Sequence, residues 1–264
     1  MNNLPDLLPN NVVSKINSFI DANIKFEERP LKEGVFNILR KYAVLVFYPL
    51  EENEENDAFL LRDMPWEGDK KHFVFINSAK TKEKQVFAAA HELGHILGII
   101  DYLGIDKTQE ELVVNRMAAE ILMPEDLFLE RIRKLGIKKQ LTKELFLEIV
   151  IGVMNEFSCT FEAVVLRFYE LGLLERSDAE AFIFKKAIDN QDDYVHRIIV
   201  EKKFEELLVV TKEKNIDGLS QIINELTKRG QLTPKAMRLK KKYATFIAQD
   251  EKNILDDNLK ININ

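Results

Sequence analysis

Apolar residues between Asn11 and Ala22 (Val12, Val13, Ile16, Phe19 and Ile20) recur at helical spacing, and a second short helix is predicted after Pro30, around Lys32 to Arg40. The pattern then changes period. Ala43 to Leu50 (AVLVFYPL) is β-branched and aromatic, the acidic run EENEEND at Glu51 to Asp57 interrupts it, and AFLL resumes from Ala58. Another strand, His72 to Ile76 (HFVFI), follows a turn-like segment over Pro65 to Lys71. From Asn77 onward the spacing is helical: Thr81 to Ile99, Gln109 to Leu122, Glu125 to Leu135, Thr142 to Glu156 and Thr160 to Leu173. Beyond Arg176 the chain is charge-rich, still with helical spacing, and ends in a basic helix near Lys235 to Lys242. The predicted fold is α+β: a small three-stranded sheet packed on a helix of the site, followed by a mostly α-helical C-terminal half. The 264 residues are read as two regions, 1–175 and 176–264.

Composition narrows the classes. Hydrophobic residues at 46% and charged residues at 31% exclude wholesale disorder and low-complexity fibres. The net charge of −6 lacks the basic excess of a nucleic-acid coat, so direct nucleic-acid binding is not expected. A single cysteine, Cys159, rules out an intrachain disulfide and any cysteine-based zinc site. The first residues, MNNLPDLLPNNVV, carry neither a basic nor a long apolar segment, and no run of 18 apolar residues occurs, so a cytoplasmic location without a membrane partner is expected.

Chemistry concentrates at His91-Glu92-Leu93-Gly94-His95. Four residues apart on a helix, the two histidines lie about 40° from one another, one turn apart, so both imidazoles can reach one metal ion. Glu92, about 100° from His91, can border the same ion without ligating it. Two neutral nitrogens holding Zn²⁺, with a carboxylate to take a proton from water, are the parts of a metal-dependent hydrolase. The flanks VFAAA and ILGII make this helix apolar almost all round, and ionisable side chains on such a helix are costly unless they coordinate something.

A third ligand must lie downstream, and two residues compete for it. On a helical wheel Glu111 shares a face with Asn115, Ala118 and Leu122, while Gln109, Arg116 and Glu120 fall on the opposite, solvent-facing side. A carboxylate on that inner face needs a partner, and a metal supplies one. Glu110, about 100° away, reads as an exposed first-turn acid. The alternative is Asp101, since HExxHxxGxxD fits the long metzincin-type signature with Gly98 allowing a sharp turn. For a transition-state oxyanion, Tyr102, His72 and Asn115 are candidate donors.

Four segments in this order resemble the ImmA/IrrE metallopeptidases: the strand ending FVFIN, then KEKQVFAAAHELGH, EELVVNRMAAEILMP and NEFSCTFEAVVLRFYELGLL. The resemblance covers about Ala43 to Leu174. It implies metal ligands at His91, His95 and Glu111, catalysis by Glu92, and a match of Asn115 to the family's asparagine. Val113 stands where family members often carry a second acid. The resemblance further implies a zinc-dependent endopeptidase that carries out limited proteolysis of a partner transcriptional repressor and so controls gene expression. No DNA-binding domain is recognisable ahead of the peptidase, so that substrate is expected in trans. A zinc-containing regulatory or binding protein acting through its C-terminal helices is the alternative from another class. The intact Glu92 argues against it, because a purely structural site has no use for that carboxylate.

Elsewhere, the helices from Thr142 to Leu173 have the look of a helix-turn-helix, but their acidic and apolar content predicts packing instead of DNA contact. His196 is expected at the surface. KAMRLKKKY at Lys235 to Tyr243 carries five basic residues and is expected to form a solvated helix face. His72 to Ile76 is a candidate edge strand for pairing with an extended substrate.

Overall fold

The computed structural model describes residues 4–50, 56–66, 69–135, 142–186, 194–219, 224 and 227–230. The fold is α+β. Its elements are α1 (Asn10–Asn23), α2 (Gly34–Leu39), β1 (Ala43–Tyr48), β2 (Ala58–Trp66), β3 (Asp69–Asn77), α3 (Lys82–Leu97), α4 (Ile99–Leu103), α5 (Glu110–Leu122), α6 (Glu125–Lys134), α7 (Lys143–Phe157), α8 (Phe161–Glu170), α9 (Arg176–Lys186), α10 (Tyr194–Glu201) and β4 (Asn215–Ile216). Packing divides the chain into two units: a helical unit of Met1–Lys41 with Thr81–Val210, and a sheet unit of Tyr42–Lys80 with Thr211–Asn264.

In the sheet unit the strand order is β2-β3-β1-β4. β1 runs parallel to β3, whereas β2 is antiparallel to β3 and β4 antiparallel to β1. Two expectations change here. First, β3 is paired on both sides, so it is not an edge; among the described residues the long free edge belongs to β2. Second, a fourth strand of only two residues joins the expected three, and at that length it carries no periodicity to read. The turn expected over Pro65 to Lys71 is also mostly strand: Pro65 pairs with Lys70 and Trp66 with Asp69. Proline is tolerated because β2 lies at the edge, where a missing N–H costs no ladder bond. At the end of β3, the buried Asn77 ties the neighbouring loops together. Its Oδ1 accepts from the N–H groups of Leu50 (3.1 Å) and Ala79 (3.0 Å), and its Nδ2 donates to the carbonyl of Asn56 (3.0 Å). Ser78 Oγ donates to the Glu213 carbonyl (2.6 Å), bringing the chain back beside β1.

In the helical unit, α3 and α5 pack closely along their lengths. Gly94 permits this: a Cβ there would lie 3.0 Å from Val114 Cγ1, tighter than side chains normally approach. α3 ends at Gly98, whose φ of 73° is a left-handed conformation that glycine adopts without steric cost. Val86, Ala89, Ala90 and Leu93 of α3 and Val113, Val114, Met117 and Ala118 of α5 are buried, in a core from which water is excluded. α7 and α8 are separated by a 107° break at Ser158, Cys159 and Thr160, with Thr160 Oγ1 accepting from Ala163 N–H (3.2 Å) as an N-cap. Phe146, Phe157, Phe161 and Phe168 of this pair are buried, as expected for packing helices. Among the described residues, no single helix is long and apolar enough to cross a membrane.

A salt-bridged network fills the junction of α5, α6 and α8. Arg167, with none of its surface exposed, donates from Nη2 to Glu120 Oε2 (2.7 Å), from Nη1 to Glu170 Oε2 (3.3 Å) and from Nε to the Met123 carbonyl (3.1 Å). Arg116 Nη1 donates to Glu120 Oε2 (2.9 Å) and lies 3.3 Å from Glu170 Oε2. Glu120 Oε1 accepts from Glu125 N–H, the first residue of α6 (3.2 Å). Both the last turn of α5 and the first turn of α6 thereby find partners for backbone groups that a helix end leaves unpaired. Arg116 and Glu120 are therefore buried, contrary to the solvent-facing side expected for them. The basic segment Lys235 to Tyr243 lies outside the described residues.

Candidate metal centre

His91 and His95 project from consecutive turns of α3, largely shielded from water, and Glu111 comes from the first turn of α5. The two Nε2 atoms stand 3.0 Å apart. His91 Nε2 is 3.4 Å from Glu111 Oε2, and His95 Nε2 is 3.6 Å from Glu111 Oε1. Among the described residues, these three form the one group of histidine, cysteine and acidic side chains able to hold a metal ion. Asp101 is not in it; it is exposed on α4.

The outer nitrogens of both rings are already engaged. His91 Nδ1 is 2.9 Å from Asn115 Oδ1, and His95 Nδ1 is 2.9 Å from Glu110 Oε1. Asn115 Oδ1 and Glu110 Oε1 can each accept from Nδ1, an arrangement that leaves both Nε2 atoms free to present a lone pair. Two lone pairs at 3.0 Å facing a carboxylate repel unless a cation sits among them. The spacing suits one: tetrahedral bonds of about 2.0–2.1 Å place ligand atoms about 3.3–3.4 Å apart. Burial holds the His91 imidazole below the usual histidine range, partly opposed by the Asn115 hydrogen bond and reinforced by the neighbouring His95, which favours the neutral, ligating form. Glu92, next to His91 on α3, is buried.

Glu111 and Asn115 do share a face, but that face is open at their level: the Glu111 side chain is 72% exposed, and only Ala118 and Leu122, further along, are buried. Glu110, expected to be a solvated acid, is instead half-buried on His95. A wheel spaces residues by angle alone, and it cannot see that a second helix end stands over the start of α5.

Tyr102 is exposed on α4, with its ring tilted against Phe19 of α1 at 4.8 Å. His72 belongs to the sheet unit, where its Nδ1 accepts from Asp63 N–H (3.3 Å) at the irregularity between Leu61 and Met64 of β2. Asn115 is committed to His91. His196 is exposed, as expected, and Cys159 is buried without a disulfide partner.

Residues 40–169 match the family described as Peptidase_M78, IrrE N-terminal-like domain. Comparison with curated proteins found no match. The matched span contains the sheet strands β1 to β3, the HExxH helix, the helix carrying Glu111, and the α7–α8 pair. With that span carrying the motif and the convergent histidines and carboxylate, residues 40–169 are a metallopeptidase domain of the ImmA/IrrE family.

Proposed function

We propose that the chain is a zinc-dependent endopeptidase, acting in the cytoplasm, that cuts a protein partner at a limited site. The partner we infer is a transcriptional repressor supplied in trans, whose cleavage changes gene expression. One observation carries the enzymatic part: His91 Nε2, His95 Nε2 and the Glu111 carboxylate converge while both Nδ1 atoms are taken. Two imidazoles and one carboxylate leave a fourth tetrahedral position for water or substrate, the open kind of zinc site that serves catalysis. Cysteine ligands do not compete, since Cys159 is buried elsewhere in the helical unit.

Zn²⁺ held by these three residues would supply Lewis acidity toward the scissile carbonyl and acidify the attacking water. Glu92 would accept the proton that this water loses as its oxygen bonds to the carbonyl carbon, then deliver it to the amide nitrogen as the C–N bond breaks. Asn115 and Glu110 would hold the imidazoles in the ligating tautomer throughout. An extended substrate segment adding to the sheet would do so at β2, the strand whose edge is free, where Phe59, Leu61 and Met64 are exposed.

Support for the repressor rests on the family resemblance, and its test is direct. The chain is incubated with Zn²⁺ and with any repressor found encoded beside it. A single pair of fragments is expected, abolished by a chelator and by Glu92→Gln. A repressor left intact by the zinc-loaded wild type sinks the substrate assignment, and inertness toward every unfolded protein offered sinks the peptidase.

A further inference from the structure

We propose that Glu110 is a positioning residue for His95, with a task distinct from that of its neighbour Glu111; this rests on the metal-site reading above. The two glutamates are consecutive in the first turn of α5, about 100° apart, and their carboxylates face opposite nitrogens of one imidazole. Glu110 Oε1 is 2.9 Å from Nδ1, and Glu111 Oε1 is 3.6 Å from Nε2.

A neutral imidazole has one proton to place, and here two carboxylates compete for it. If the proton sits on Nε2, it points at Glu111 and at His91 Nε2, and the remaining lone pair, on Nδ1, faces Glu110 and not the metal position. If it sits on Nδ1, it is donated to Glu110 and Nε2 is free. The shorter contact belongs to Glu110, so the ring is set in the ligating tautomer before any metal arrives. An ionised carboxylate only accepts, so Glu110 leaves Nδ1 no alternative to donating. His91 is held less stringently, because the Asn115 amide carries donors as well as an acceptor. His95 is thus the pre-set ligand of the pair, and Glu110 is what sets it.

The experiment compares wild type, Glu110→Gln and Glu110→Ala by two measurements. Long-range ¹H–¹⁵N correlation of the metal-free protein reads which nitrogen of His95 is protonated. Competition with a chromogenic chelator reads Zn²⁺ affinity. Wild type is expected as the Nδ1–H tautomer. Glu110→Ala should shift the proton toward Nε2 and weaken Zn²⁺ binding by about 10–100-fold, the range for loss of a group behind a ligating histidine. Glu110→Gln, whose amide oxygen still accepts, should lie closer to wild type in both measurements. If Glu110 contributes only negative charge at a helix start, Gln and Ala behave alike, and the proposal is overturned. It is also overturned if Ala keeps the Nδ1–H tautomer or binds Zn²⁺ within about threefold of wild type. A wild type that binds no Zn²⁺ refutes the function proposed above, while the tautomer measurement still decides for or against Glu110.

Discussion

Replacing Arg167 with Met keeps a straight side chain of similar reach and removes the guanidinium from the junction of α5, α6 and α8. In the native protein two arginines face two glutamates, so the cluster is neutral. Arg167→Met leaves Arg116 alone against Glu120 and Glu170 and strips the Met123 carbonyl of its donor. Removing one partner of a buried ion pair costs about 3–5 kcal/mol, because the remaining charge stays buried and uncompensated. Total stability is on the order of 5–15 kcal/mol, so the loss is a large share of it. For a body of this size each kcal/mol moves the midpoint by about 2–4 °C, which predicts a fall in Tm of about 6–20 °C. Urea unfolding followed by circular dichroism gives the free energy directly. Adding Glu120→Gln should recover part of the loss, because the charge balance is restored, and a coupling above about 1 kcal/mol is expected in the double-mutant cycle. A single-variant cost below about 1 kcal/mol, or strict additivity, would mean that the network is not a coupled buried unit.

Other expectations follow from the site and the core. Glu92→Gln should bind Zn²⁺ with the wild-type stoichiometry and lose about 10²–10⁴-fold in cleavage rate; a variant cutting at the wild-type rate removes Glu92 from the chemistry. Glu111→Ala should lower Zn²⁺ affinity by more than about 100-fold while Asp101→Ala leaves it unchanged, and metal analysis with the reverse order would restore the Asp101 reading. The Cys159 thiol is pushed far above its ordinary range, first by burial and then by Glu83, against an opposing effect of Arg167. It should therefore ignore a thiol reagent in the native state and react fully once urea unfolds the chain; rapid labelling of the folded protein contradicts its burial.

How far the sequence reached depended on whether a feature was local. α3, α5, α6 and α7 were legible within two residues at either end, because apolar spacing and nearby caps such as Thr142 act over a few residues, whereas α8 ends three residues before the expected Leu173 and the short α4 was not read at all. The histidine pair was legible for the same reason, since four residues on a helix fix their separation. β4 was not: its two residues are a strand only because they meet Val46 and Phe47, more than 160 positions away in sequence. The free edge of the sheet was equally out of reach, since the order β2-β3-β1-β4 is decided by long-range pairing that no single strand encodes.

The polarity of α5 brings both kinds of information together. A helical wheel places Arg116 and Glu120 opposite Glu111, and charge alone sends them to solvent. In the folded chain their charges cancel against Arg167 and Glu170, so the far end of α5 can be buried on the side that looks most polar. That burial is what leaves the first two turns free to present Glu110, Glu111 and Asn115 to the histidines. The helix is therefore sorted by position along its axis as much as by face: anchored at its C-terminal end through Glu120 and Met123, open at its N-terminal end. A carboxylate at that open end, where backbone N–H groups also favour negative charge, is held close to the metal site without being desolvated. The cost that seemed to require a metal partner for Glu111 falls instead on Arg116 and Glu120, and Arg167 answers it.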